Sequence, residues 1–105
     1  MSVSILEQAS GVRLAAGNEG VEVARHEGNW YFDPSAVASD LLRVTGRTYT
    51  CPSKGLCYWV DFFAPDGREV RDVAWVYDEP KPGHELIRGR YGFYAGTRGA
   101  TRQGE

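Results

Sequence analysis

A chain of 105 residues with 42% hydrophobic residues, 25% charged residues and a net charge of −2 is one ordinary globular domain, long enough to bury a core without a metal or a disulfide. That charge leaves no footprint for a nucleic-acid backbone or an anionic membrane, so neither is expected as a partner, and no apolar run approaches the ~18 residues of a membrane span. Residues 1–8 place no basic segment ahead of Val3, Ile5 and Leu6, so no signal peptide is indicated and the expected setting is cytoplasmic, with Cys51 and Cys57 as free thiols.

In chain order, residues 1–10 read as a loosely held arm or a first edge strand. Val12–Ala16 and Val21–Arg25 alternate around the turn cluster Gly17-Asn18-Glu19-Gly20, which predicts a β-hairpin. Gly28-Asn29 breaks it, and the short aromatic run Trp30-Tyr31-Phe32 follows. Asp33-Pro34-Ser35 has the chemistry of a helix start: an aspartate cap, then proline where its missing N–H is not needed. Val37, Leu41 and Val44 fall on one helical face and Gly46 can stop the helix, so one short helix is expected over residues 34–44. Arg47–Thr50 is extended. Pro52 and Gly55 mark a turn, and Leu56–Phe63 is the most aromatic strand of the chain. Its two faces, Tyr58/Val60/Phe62 and Trp59/Asp61/Phe63, both carry rings, so both are expected to be covered.

Ala64-Pro65-Asp66-Gly67 predicts a hairpin turn, with a return strand over Glu69–Tyr77. Strict alternation puts Val70, Asp72, Ala74 and Val76 on one face and Arg71, Val73, Trp75 and Tyr77 on the other. A proline-rich loop, one helical turn near His84–Ile87 and a last strand over Arg90–Tyr94 complete the ordered core, residues 12–95. Residues 96–105 have no apolar anchor and are expected to fray. The expected fold is mostly β (α+β): a single small domain, an antiparallel sheet or partly open barrel with one short helix.

Cys51-Pro52-Ser53-Lys54-Gly55 and its aromatic strand, Asp72-Val73-Ala74-Trp75-Val76-Tyr77, Gly92-Phe93-Tyr94 and the earlier Trp30–Pro34 together resemble the bacterial family called domain of unknown function 427. The resemblance covers residues 12–95 and implies a small, mostly β domain with a short helix. Two departures stand out. Ser53 occupies a position where the family carries an aromatic, which changes one wall of any pocket, and the family's closing strand after the Phe-Tyr pair reads as missing or degenerate. The family's other, nucleotidyltransferase-like label is not carried over. That chemistry needs metal-binding carboxylates and usually a glycine-rich phosphate cradle. Here Asp61, Asp66, Asp72 and Asp78 are scattered, with no D-x-D pair and no P-loop.

Cys51 and Cys57 are a weak zinc signal, because His26 and His84 would have to converge on them from distant loops; no metal and no cofactor are expected. Lys54 is a candidate hook for an anion or a carbonyl at a pocket rim, and it also lowers the pKa of a nucleophilic Cys51. Asp72, on a partly buried strand face, needs a cation: Lys54 or an arginine. The expected ligand-binding set is Lys54, Tyr58, Asp72, Trp75 and Tyr77, with Cys51 at the edge and Cys51 and Lys54 as the catalytic candidates. The favoured function is a small-molecule binding module with an aromatic groove and a lysine at its rim. The alternatives are a small enzyme using Cys51 or Lys54, and a protein-interaction domain.

Overall fold

The computed structural model describes residues 1–104; residue 105 lies outside the description. Among the described residues there are ten strands: β1 Ser2–Glu7, β2 Arg13–Asn18, β3 Val23–His26, β4 Asn29–Phe32, β5 Leu42–Cys51, β6 Gly55–Phe63, β7 Glu69–Val76, β8 Tyr91–Phe93, β9 Thr97–Arg98 and β10 Thr101–Gly104. They form two antiparallel sheets, ordered β2-β1-β10-β9 and β3-β4-β8-β7-β6-β5. The domain is mostly β, as expected, built as two open sheets rather than a closed barrel. No helix among the described residues is long and apolar enough to cross a membrane.

The hairpin β6–β7 is the centre of the larger sheet. Its turn closes through Ala64 N–H to Arg68 O and Gly67 N–H to Ala64 O, with Gly67 at φ +91°, a conformation glycine adopts without a steric penalty. Alternation along β4 and β6 splits their side chains between two apolar clusters. Trp30, Phe32, Val60 and Phe62 join Val3, Ile5 and Leu14 in the core that both sheets share. Tyr31, Cys57, Trp75, Tyr77 and Ile87 form a second cluster, with Cys51, Trp59 and Tyr94 packed against it. The larger sheet is therefore covered on both faces.

Strict alternation fails in β7. Val60 pairs with Ala74 and Phe62 with Val70, so residues 71–73 stand opposite Asp61 alone. Asp72 takes the left-handed conformation, φ +58°, and the bulge turns Val73 into the shared core while Trp75 and Tyr77 keep the opposite face.

Several expectations are corrected. No helix forms over residues 34–44. Asp33 does cap, its carboxylate accepting the Ser35 N–H at 2.9 Å, but only the 3₁₀ turns Pro34–Ala36 and Ser39–Leu41 follow. Val37 is extended and bridges Ala15, and Ala38 N–H donates to Leu14 O. From Leu42 the chain is β5, paired along β6. The predicted hairpin over residues 12–25 is replaced by two others: β2 pairs with β1 and β3 with β4, in different sheets. Residues 1–10 hold β1 between two neighbours rather than at an edge, and residues 97–98 and 101–104 are strands rather than a frayed tail. The closing strand that reads as missing is β10. Its ladder on β1, and Gln103 Oε1 accepting the Trp30 indole N–H at 3.0 Å, replace the apolar anchor it lacks.

One ionised group ties the smaller sheet to the central hairpin. Glu7 is 2% exposed. Its carboxylate accepts Ser10 Oγ at 2.7 Å, the Ser10 and Ala9 N–H groups at 3.0 and 3.1 Å, and Arg68 Nη2 at 3.1 Å. Burial alone would raise its pKa; the donors outweigh burial and lower it to about 2. A depressed carboxylate pKa contributes stability above the unfolded value of 4.5, lost as the pH falls toward about 2. The group lies close beneath the surface, so the contribution is discounted to about 2 kcal/mol. Glu7→Gln should lose about that much in urea melts at pH 7, and the gap from wild type should shrink near pH 2.5. A constant gap across this range would show that Glu7 acts by packing alone.

Candidate functional site

The turn between β5 and β6 organises the site. Cys51 pairs with Gly55, and Gly55 adopts φ +104°. The loop after β7 is strapped to this turn: Lys81 N–H donates to Lys54 O at 2.8 Å and Lys81 Nζ to Pro52 O at 2.9 Å. Beside this turn opens a hollow of about 180 Å³, lined by the rings of Tyr31, Tyr49, Trp59, Trp75, Tyr77 and Tyr94, together with Asn29, Cys51, Lys54 and Cys57. Ligand sites for drug-sized molecules start near ~300 Å³, so this one suits a smaller molecule, about a single substituted ring.

The floor is held rigidly. The Trp75 indole N–H donates to Tyr31 Oη at 3.1 Å in a buried bond, and Trp75 packs against Tyr31, Trp59 and Tyr94 at centroid distances of 6.2, 6.3 and 4.8 Å. Gly92 leaves the space for that indole, since a Cβ there would collide with the Trp75 and Tyr31 rings. Gly92→Ala should therefore destabilise the domain by about 1–3 kcal/mol, read by a chemical melt; a neutral effect would mean that the floor can shift.

Lys54, Trp75, Tyr77 and Cys51 thus meet as the sequence implies, but Tyr58 and Asp72 are elsewhere. Period-two alternation sends Tyr58 away from Cys57 and Trp59, and it lines a separate hollow with Leu56, Asp78 and Glu79. Asp72 sits in the bulge, its cation an arginine: Arg47 Nη2 bonds Asp72 Oδ1 at 2.7 Å and also pairs with buried Asp61. Lys54 Nζ instead reaches Glu27 Oε1 at 3.2 Å.

Glu27, Asn29, Tyr49, Trp59 and Tyr94 escaped the sequence reading. Glu27-Gly28 is the two-residue turn joining β3 to β4, with φ of +48° and +85°, and an x-Gly pair between two short strands was the available signal. His26 and His84 do converge, with Nε2 and Nδ1 2.8 Å apart, but on Glu27 rather than on the cysteines.

The charges are coupled. Burial would lower the Lys54 pKa, but the Glu27 hydrogen bond and the neighbouring anions raise it. The same bond holds Glu27 below its ordinary value. Cys51 is lowered to about 6, first by the Ser53 hydroxyl 3.4 Å from its sulfur, and against burial by nearby backbone N–H groups and Lys54. Burial raises Cys57 and Tyr77 instead. Both cysteines are free thiols.

An aromatic hollow on the outer face of a six-stranded sheet, beside the β5–β6 turn, marks the candidate site of this small two-sheet β domain. The chain belongs to the family described as a domain of unknown function, DUF427, whose profile matches residues 4–104. The match extends through β10, beyond residues 12–95 where the sequence resembles the family. A search of curated proteins finds no match.

The thiols should differ in reactivity. Alkylation of Cys51 by iodoacetamide should rise with pH through a midpoint near 6, because the thiolate is the nucleophile, while buried Cys57 reacts slowly. Ser53→Ala should move the midpoint upward. A midpoint in the ordinary thiol range for the unmutated protein would remove the activated-cysteine argument.

Proposed function

We propose that this domain binds a small, flat, uncharged molecule bearing a carbonyl group, with its ring stacked among Trp59, Trp75 and Tyr94 and its carbonyl oxygen on Lys54. The observation that carries this reading is a lysine ammonium at the edge of a ring-lined hollow with its charge already compensated. Lys54 gives one donor to Glu27 and has two more. With Glu27 and the Cys51 thiolate beside it, a free carboxylate or phosphate would meet two anions for one cation, whereas a neutral acceptor meets no such repulsion. The hollow's size points to a molecule of about one ring. Rings supply dispersion and stacking; the ammonium supplies orientation.

A second reading rests on Cys51, whose lowered pKa makes it a nucleophile at neutral pH on the wall of the same hollow. A carbonyl held by Lys54 presents its carbon to this thiolate, and the ammonium is the donor for the oxyanion that addition creates. In this reading the domain is a small enzyme or a covalent carrier.

A library of small carboxylates, amides, aldehydes and ketones, screened by thermal shift and by quenching of tryptophan fluorescence, tests the proposal. Neutral carbonyl compounds should shift the wild type most. Lys54→Met keeps the stem and removes the charge. It should change stability by less than ~1 kcal/mol and weaken those compounds by about tenfold or more, the value of a charge-assisted hydrogen bond. Identical responses in the two proteins would move the site away from Lys54, and a preference for carboxylates would overturn the charge argument. Mass spectrometry of the complex separates the two readings, since only the second leaves a Cys51 adduct.

A further inference from the structure

Two chain segments far apart in sequence bring three metal-ligating side chains together beside the hollow. His26 ends β3, Glu27 opens the turn to β4, and His84 precedes the 3₁₀ turn Glu85–Ile87. His26 Nε2 and His84 Nδ1 lie 2.8 Å apart, and Glu27 Oε2 lies 3.8 and 3.5 Å from them. The two rings share a hydrogen bond that ties the β3–β4 turn to the loop. The triangle fits more than that role. The point equidistant from its corners lies about 2.0 Å from each atom, the length of a zinc–imidazole or zinc–carboxylate bond.

We propose that His26, Glu27 and His84 form a binding site for a divalent first-row transition ion, with zinc the best fit to a two-nitrogen, one-oxygen donor set. Three protein donors leave the fourth corner of a tetrahedron to water, the open pattern of sites that do more than staple a fold. Two observations besides the distances support the site. Glu27 is a non-glycine residue held at φ +48°, in a turn position that favours Asn, Asp or Gly, and this strained backbone brings its carboxylate to both histidines. Lys54 takes the other carboxylate oxygen, Oε1, at 3.2 Å, an outer hydrogen bond of the kind that fixes a ligating carboxylate. The ammonium also repels the ion, so micromolar affinity is expected rather than the tighter binding of closed structural sites. The side chains of His26 and His84 are 17% and 16% exposed, shielded enough to be fixed and open enough for an ion to enter. This site takes no thiol, so it is distinct from a zinc site built on Cys51 and Cys57.

The test uses the full-length protein stripped of metal. Calorimetric titration with Zn²⁺ should show one equivalent bound with micromolar affinity. His84→Ala and Glu27→Gln should each weaken it by ~10-fold or more. Cobalt(II) should give a visible spectrum without a thiolate charge-transfer band. Because a variant can lose binding by losing its fold, the imidazole proton resonances of His26 and His84 in the unmutated protein provide a second readout: both should shift together on zinc addition. Absence of uptake at submillimolar zinc, unchanged affinity in His84→Ala, a thiolate band with cobalt, or histidine resonances that do not move would each overturn the proposal.

Discussion

The carboxylate of Asp61 is the point on which the central hairpin depends. It is 3% exposed, near the C-terminal end of β6, where an unpaired charge would be strongly destabilising. Arg47 pairs with it from β5, and Asp72 N–H donates to it from β7 at 3.1 Å. Those donors outweigh the burial that alone would raise its pKa, and hold it ionised below its ordinary value. One buried anion thereby fixes three adjacent strands and pins the bulge at Asp72. The bulge adds two residues opposite Asp61, so the alternation stays in phase beyond it: Ala74 and Val76 enter the shared core, Trp75 and Tyr77 face the hollow, and Val73 is turned inward.

This explains which features were legible in the sequence. The β6–β7 hairpin was readable because its signals are local: a Pro-Asp-Gly turn between two alternating runs. Burial of both faces of β6 was readable from rings at successive positions. The bulge was not, because nothing in Glu69–Tyr77 breaks the alternation; the irregularity arises from Asp61 on a different strand. The helix expectation failed for a related reason. Asp33 and Pro34 do what their chemistry dictates for one turn, but an isolated short helix is marginal. The ladder that Leu42–Val44 form along β6 offers bonds that a helix running through residue 44 would forgo. Pairing of β1 with β10 joins the two ends of the chain, and no local pattern announces such a contact. Gln103, polar and near the terminus, gave no hint that it would receive the indole N–H of Trp30.

The site shows the same division. Lys54 and Cys51 were legible because turn and strand adjacency place them at the mouth of the aromatic strand. Tyr58 lies outside the hollow because a residue that shares a face with Val60 and Phe62 cannot also share one with Trp59. Glu27 was missed because its role comes from a turn whose two positive φ angles carry the carboxylate toward a loop more than fifty residues away.

The position of Glu27 also limits what the hollow can do. Its two oxygens divide between Lys54 and the histidine pair, so anything that changes one partner alters the field at the other. An ion held by His26 and His84 would draw electron density from the carboxylate and weaken its hold on Lys54, strengthening the ammonium as a donor into the hollow. Conversely, an acceptor on Lys54 shares the ammonium and leaves Glu27 a better metal ligand. By linkage the two effects must be equal in free energy. The shared carboxylate thus makes the aromatic hollow and the histidine cluster a single electrostatic unit, coupled through one residue in a two-residue turn.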